Sequence, residues 1–163
     1  MIDTKEILWN FAEELNDKMI EHGVTYRQVA YAARVTKGSV VHYKSGNAFP
    51  EPWTLTLIAD YLECSVDELL RYSNPHTFAR TRRWIPAIEK FPNWDIFADY
   101  FRERLTDLMN TKHMSAEELG VAVGVSTRTI EMYLSVHRWT PDTPTFLRIC
   151  DALDCTPSDL LGY

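Results

Sequence analysis

The strongest constraint on this chain is an internal repeat. Shifted by 90 residues, the sequence matches itself at positions that pair Phe11 with Phe101, Leu15 with Leu105 and Met19 with Met109. After a one-residue insertion near 136–140 the shift becomes 91, which pairs Ile58 with Ile149, Cys64 with Cys155 and Leu69 with Leu160. A match of this extent indicates two copies of one structural unit, so the sequence predicts two tandem domains.

We place these domains at residues 1–74 and 95–163, joined by a linker at residues 75–94. Prolines interrupt helical continuity, and the linker contains Pro75, Pro86 and Pro92. A short helix around 78–90 fits between them. The linker also carries large apolar side chains, which are Trp84, Ile85, Ile88, Phe91 and Trp94. Because these side chains are too apolar to stay in water, we expect the linker to pack on one or both domains and to fix their relative geometry.

Helical signals dominate both copies. Ile7, Phe11, Leu15 and Met19 recur every four residues, which places them on one face of a first helix. Helix starts are marked by predicted capping boxes, in which a hydroxyl and a Glu or Gln side chain three residues later satisfy backbone N–H groups. These boxes are Thr25 with Gln28, Ser65 with Glu68, and Ser115 with Glu118. No alternating strand pattern is present, so we predict an all-α fold with five helices in each copy.

Composition excludes several classes of protein. The chain is 45% apolar and 25% charged, as in ordinary folded domains. It has no run of about 18 apolar residues and no basic-then-apolar start, so we expect a cytoplasmic protein without a membrane partner. Its cysteines, Cys64, Cys150 and Cys155, show no zinc-like spacing with histidines. The net charge of −6 requires any contact with nucleic acid to be local.

A family resemblance lies in the stretch from Thr25 to Pro50. It contains a capped helix, a turn of about two residues between Ala33 and Thr36, a second short helix, and then Gly46 and Pro50. This order resembles the Cro/C1-type helix-turn-helix family of phage repressors and bacterial regulators. Residues 57–70 and 147–161 are similar to the two-helix segment that closes the family's domain. The resemblance implies two five-helix, lambda-repressor-like domains.

Each copy departs from the family's pattern at one turn. The family often has glycine between the two helices of the motif, where the backbone is left-handed; the second copy has Gly124, but the first has Arg34. After the second helix of the motif, here called the recognition helix, the first copy keeps Gly46, whereas the second has Val136 and the inserted residue. We therefore expect the second copy to have a different loop there.

The resemblance also implies which residues contact DNA. In this family the second helix of the motif lies in the major groove. Carried over to the first copy, the base-contacting positions are Lys37, Gly38, Ser39 and His42, and those that hold phosphates are Tyr26, Arg27, Lys44 and Asn47. In the second copy the corresponding candidates are Thr127, Arg128 and Met132.

Charge separates the two copies. Residues 22–50 contain no Asp or Glu, whereas the second motif carries Glu117, Glu118 and Glu131. Acids repel phosphates, so we expect weaker DNA binding by the second copy. A third basic element in the linker consists of Arg80, Arg82 and Arg83. These arginines either contact a DNA backbone or minor groove or pair with acids of the two domains.

The sequence predicts a sequence-specific regulator of transcription, a repressor of phage or mobile-element type, that binds double-stranded DNA through the first copy. It would act as a homodimer or as an intramolecular pseudo-dimer, and the acids of the second copy favour assembly as that copy's role. The alternative is a protein-interaction module, an antitoxin or an inhibitor of a host system. We expect no enzyme, because no nucleophile, metal cluster or phosphate loop is present, and no cofactor.

Overall fold

The computed structural model describes residues 2–72 and 87–162, and Arg80, Arg82, Arg83, Trp84 and Ile85 lie outside these ranges. Within them the chain forms helices and no strands, which confirms the all-α prediction. None of these helices is long and apolar enough to cross a membrane. The helices are α1 (Thr4–Glu21), α2 (Tyr26–Ala33), α3 (Lys37–Lys44), α4 (Pro52–Tyr61), α5 (Val66–Leu69), α6 (Ala87–Lys90), α7 (Trp94–Thr111), α8 (Ala116–Val123), α9 (Thr127–Tyr133), α10 (Thr143–Ala152) and α11 (Pro157–Leu161).

Two of the three predicted capping boxes form as expected. The backbone N–H of Thr25 donates to the Gln28 side chain at 2.8 Å, and the backbone N–H of Gln28 donates to the Thr25 hydroxyl at 3.4 Å. Ser115 and Glu118 make the same pair of bonds, at 2.8 and 3.2 Å. Two orphan N–H groups are thereby satisfied at the start of α2 and again at the start of α8.

The third predicted box, before α5, is wrong in one half. Ser65 accepts a bond from the backbone N–H of Glu68 at 3.0 Å. The Glu68 carboxylate does not return to the helix start but binds the Lys18 ammonium on α1, with 2.6 Å between Nζ and Oε1. A full box that the sequence analysis missed lies at α11, between Thr156 and Asp159. Asp at this position is shorter than the usual Glu or Gln, which hid the signal.

The turn inside each helix-turn-helix is left-handed. Arg34 has φ 58° and ψ 38°, and Gly124 has φ 78° and ψ 34°. The left-handed region costs a residue with a Cβ about 1–2 kcal/mol, whereas glycine enters it freely. Arg34 therefore takes the same turn as Gly124 at an energetic cost, which the surrounding helices must offset.

The same helix packing recurs in the N-terminal half (residues 2–72) and the C-terminal half (residues 87–162). Helix α2 packs against α3 and α4, and α8 packs against α9 and α10. The core of each half is made of fully buried side chains, among them Phe11, Leu15, Val29, Val40, Phe101, Leu105, Leu119 and Ile130. The buried residues form one cluster that continues through both halves. The division into domains at residues 1–74 and 95–163 therefore stays a prediction.

The described end of the linker packs on α4 of the N-terminal half and on α7. Helix α6 contacts α4, and Phe91, which is 1% exposed, packs against Phe97 and Tyr100 with ring centroids 5.5 and 5.0 Å apart. Trp53 on α4 packs against the same Phe97 at 5.1 Å. The expectation that apolar linker residues are buried is met by Phe91, whereas Trp94 begins α7 and is exposed.

A second contact between the halves joins the short helices α5 and α11. The backbone N–H of Asp67 donates to the Ser158 hydroxyl at 3.2 Å, and the backbone N–H of Ser158 donates to the Asp67 carboxylate at 2.8 Å. Asp67 and Ser158 are aligned positions of the sequence repeat, 91 residues apart. Burial raises the pKa of the Asp67 carboxyl, and its bonds to Ser158 and Thr156 partly oppose that rise.

Replacing the side chain shared by the two halves tests the continuous core. Phe97→Ala removes a fully buried ring that contacts Trp53 and Phe91. It should lower the free energy of unfolding by about 3–5 kcal/mol, whereas Phe97→Leu should cost much less. Urea unfolding followed by circular dichroism measures both changes; a loss below about 1 kcal/mol for the alanine variant, which such a cavity cannot produce, would contradict this packing.

The left-handed turns allow a matched pair of substitutions. Gly124→Ala adds a Cβ at φ 78° in open space, so no steric clash results. The added backbone strain outweighs the reduced freedom of the unfolded chain, and stability should fall by about 1 kcal/mol. Arg34→Gly removes that strain but loosens the unfolded chain, and stability should rise by about 0.5 kcal/mol. Thermal unfolding of both variants reports the two signs, and equal signs would argue against a shared turn geometry.

Candidate nucleic-acid interface

Helix α3 presents a polar edge to solvent while its other side is anchored in the core. Val40 is fully buried and Tyr43 is 9% exposed, so these two side chains fix the rotation of the helix. The outward positions include Lys37, Gly38 and His42, all exposed. The structure thus brings three of the four predicted base-contacting residues to one accessible edge.

Ser39, the fourth predicted base-contacting residue, is engaged at the start of the helix. Thr36 is the N-cap of α3, and its hydroxyl accepts from the backbone N–H of Ser39 at 3.1 Å. The Ser39 hydroxyl lies 2.9 Å from the same Thr36 oxygen, and its side chain is half-buried. A hydroxyl has one donor and two acceptor sites, so the Thr36 contact leaves Ser39 with less capacity for DNA.

Two predicted phosphate-binding residues contact each other. The Lys44 ammonium at the end of α3 donates to the Tyr26 hydroxyl at the start of α2, at 2.8 Å, and lies 5.0 Å from the centre of the Tyr26 ring. An ammonium has three donors, so two remain for another oxygen. The contact holds a positive charge beside the N-terminus of α2, where the helix dipole also favours an anion.

The other two predicted phosphate-binding residues flank this contact in the sequence. Arg27 is exposed in the first turn of α2, which contains no acid. Asn47 is exposed after α3, and its amide donates to the Ser45 hydroxyl at 2.8 Å. Ser45 in turn donates to the carbonyl of His42 at 3.1 Å. These bonds order the loop that follows the recognition helix.

The sequence analysis missed the contribution of α1 to this region. A shallow pocket of about 310 Å³ is lined by Trp9, Glu13 and Asn16 of α1 together with Lys44 and Ser45. An acid therefore lies beside the acid-free stretch, although Glu13 is paired with Arg71 at 2.8 Å. The only sequence signal was that Trp9 falls off the apolar row of α1 that contains Phe11.

The motif in the C-terminal half has the same frame and different chemistry. The Ser126 hydroxyl caps α9 by accepting from the backbone N–H of Thr129 at 3.1 Å. Thr127 and Arg128 are exposed and Met132 is half-buried. Exposed Glu131 occupies the position of Val41, and Glu117 that of Arg27. Bonds from Ser115 lower the pKa of Glu118, so its carboxylate, used in the cap, is charged at neutral pH.

The loop after α9 differs from the loop after α3, as the sequence predicted. The left-handed residue in the first loop is Gly46, with φ 70°, whereas in the second it is Arg138, with φ 57°. The Arg138 guanidinium binds the carboxylate of Asp99 at 3.1 Å and that of Asp95 at 3.6 Å. The inserted residue thus moves the turn and ties this loop to α7.

No site for a metal is present among the described residues. Cys64, Cys150 and Cys155 are unpaired and buried. Burial raises the pKa of the Cys64 thiol to about 12, so the thiolate needed for metal binding or redox chemistry is disfavoured. The predicted linker contacts of Arg80, Arg82 and Arg83 lie outside the described part of the chain.

Comparison with known families finds a match in the C-terminal half. Residues 104–163 match the model described as the Cro/C1-type HTH DNA-binding domain. The match contains α8, the left-handed turn at Gly124 and α9, and it does not extend to the N-terminal repeat. Neither the curated proteins nor the solved structures provide a significant match. Residues 104–163 are therefore similar to a Cro/C1-type helix-turn-helix DNA-binding domain.

Proposed function

We propose that this protein is a sequence-specific regulator of transcription that reads the major groove mainly with α3. The observation that carries the proposal is the exposed edge of Lys37, Gly38 and His42 on α3, a helix whose last residue, Lys44, contacts the capped N-terminus of α2 through Tyr26. Lysine donates to the guanine acceptors O6 and N7, and Gly38 lets the backbone approach DNA closely. The two helices together supply base contacts and phosphate contacts.

Charge supports the choice of α3 over α9 as the main reader. The stretch of residues 22–50 holds Arg27, Arg34, Lys37 and Lys44 and no acid. At the aligned positions, Arg27 is replaced by Glu117 and Val41 by Glu131, and both acids are exposed. Each such acid opposes the release of counterions that drives binding to phosphates. The N-terminal motif therefore suits DNA better, even though the family match lies in the other half.

The class of regulator follows from the family resemblance. Residues 25–50 of this chain resemble the motif of Cro/C1-type phage repressors. We therefore propose that this chain is a repressor of phage or mobile-element type. Binding over a promoter would then act by excluding other proteins from the same DNA.

A protein-interaction module is the second candidate, and exposed apolar side chains favour it. Tyr31 on α2 is 89% exposed, Trp9 on α1 is 60% exposed, and Val41 on α3 is 45% exposed. Aromatic side chains are the commonest anchors of protein interfaces. An antitoxin or inhibitor that uses the motif to bind another protein would employ these side chains rather than Lys37.

Replacing Lys37 tests the main proposal. Lys37→Ala should weaken binding to a site selected from random-sequence duplex DNA by about tenfold or more, as expected for the loss of one base contact. If Lys37 also neutralises a phosphate, the negative slope of log affinity against log salt should become less steep by about 1. Fluorescence anisotropy over a salt series measures both quantities.

Lys5→Ala is the matched control, because it removes the same charge from an exposed residue of α1. It should leave the affinity within about twofold at about 0.15 M salt, since a single exposed charge outside the predicted contact residues is largely screened there. If wild-type protein selects no sequence and its binding does not depend on salt, the regulator is excluded. Loss of partner binding in Tyr31→Ala would then favour the interaction module.

A further inference from the structure

The contact between α5 and α11 relates the two halves of the chain in the way that a twofold axis relates the two subunits of a symmetric dimer. Asp67 and Ser158 are aligned positions, and each donates its backbone N–H to the side chain of the other, at 3.2 and 2.8 Å. A pair in which each member makes the same contact with its counterpart is the mark of a twofold interface. The chain therefore contains an approximate internal twofold at this contact.

The internal contact uses the apolar surfaces of both short helices. Val66, Leu69, Leu160 and Leu161 are all fully buried within the single chain. The large hydrophobic residues that remain exposed in the described ranges lie on other elements, and none belongs to α5 or α11. A second copy of the chain thus finds no free apolar surface on these helices.

The residues at the contact also disfavour pairing between two N-terminal halves. Joining two N-terminal halves through α5 would place one Asp67 carboxylate against another in a buried position, and like charges in such a site repel. Pairing of Asp67 with Ser158 avoids this repulsion, because the backbone N–H of Ser158 donates to the Asp67 carboxylate in place of a second charge. The repulsion therefore favours the pairing of unlike halves over the pairing of two N-terminal halves.

A second bond favours unlike halves for a similar reason. The Thr143 hydroxyl, at the start of α10, donates to the carbonyl of Pro50, in the loop between α3 and α4. The position aligned with Thr143 is Pro52, which has neither a hydroxyl nor an N–H to donate. The symmetric counterpart of this bond, from Pro52 to the carbonyl of Pro141, therefore cannot form. In a pair of two N-terminal halves Pro52 would stand in place of Thr143, so neither copy of the bond would form.

From these contacts we propose that one chain, acting as a monomer, binds an asymmetric DNA site made of two unlike half-sites, one read by α3 and the other by α9. The proposal rests on the regulator function proposed above. Two motifs related by a twofold can meet two half-sites about 10 base pairs apart, as a dimeric repressor does. The sequence favoured assembly as the role of the C-terminal half, whereas this proposal gives that half a role in DNA binding.

The half-sites must differ because the two recognition helices differ. At aligned positions α3 has Lys37, Gly38 and Val41, where α9 has Thr127, Arg128 and Glu131. Arg128 is exposed and can bind guanine through O6 and N7 together, and the exposed Glu131 can accept from N4 of cytosine. Such contacts would keep α9 selective for bases although its acids weaken its hold on phosphates.

The solution mass and the selected DNA sequence test the proposal together. Sedimentation of the full chain should give 18.9 kDa, the mass of one copy. Selection from random-sequence duplex DNA should return a non-palindromic site bound by one chain. Twice the mass, or a palindrome bound by two chains, would overturn the proposal while leaving the regulator function intact. If wild type binds no DNA selectively, the regulator function itself fails.

A conservative variant isolates the role of α9. Arg128→Lys keeps the charge but loses the bidentate geometry, so it should relax the sequence preference in one half-site and weaken binding to the selected site about tenfold. Lys37→Ala should relax the other half-site. Affinity of Arg128→Lys for unselected duplex should be unchanged, which also shows that it is folded. Unaltered preference and affinity in Arg128→Lys would exclude α9 from the readout.

The internal pairing has a test that involves no DNA. Ser158→Asp places a carboxylate against Asp67, whereas Ser158→Ala removes only the hydroxyl. The urea midpoint of Ser158→Asp should therefore be lower than that of Ser158→Ala. Equal midpoints would mean that positions 67 and 158 do not meet in solution, and the single-chain arrangement would be rejected.

Discussion

The reciprocal contact of α5 with α11 is the constraint on which the rest of the structure depends. These helices have four and five residues, too few to be stable alone, because helix nucleation needs packing to offset its cost. Each closes the core of its own half and stabilises the other. With Phe97 held between Trp53 and Phe91, this contact makes one continuous core from two similar sets of helices.

Helix starts and turns could be predicted from the sequence because neighbouring residues determine them. Thr25 with Gln28 and Gly124 needed no information from distant parts of the chain. Glu68 shows the limit of prediction from neighbouring residues, because both the helix start and Lys18 can bind its carboxylate. In the folded chain the carboxylate binds Lys18. Asp67 could not be assigned to an interface for the same reason, since on a short helix it resembles any solvated acid.

The sequence predicted which residues belong to the candidate site, but not how their side chains are arranged. Lys37, Arg27 and His42 are exposed near the motif, as the family resemblance implied. The bonds of Ser39 to Thr36 and of Lys44 to Tyr26 could not be read from spacing, because they depend on rotamers and on the approach of two helices. They divide the predicted residues into those that face solvent and those that also brace the motif. Trp9 was missed because it belongs to another helix.

The bond from Thr143 to the carbonyl of Pro50 affects the entropy that is lost when the protein binds a partner. It joins the loop leaving α3 to the first turn of α10, so the segment between α3 and α4 is held by both halves of the chain. Two surfaces fixed in this way lose their translational and rotational freedom once, when the first of them binds. The second surface then meets its target at a local concentration set by the stiffness of the protein rather than by its amount in the cell.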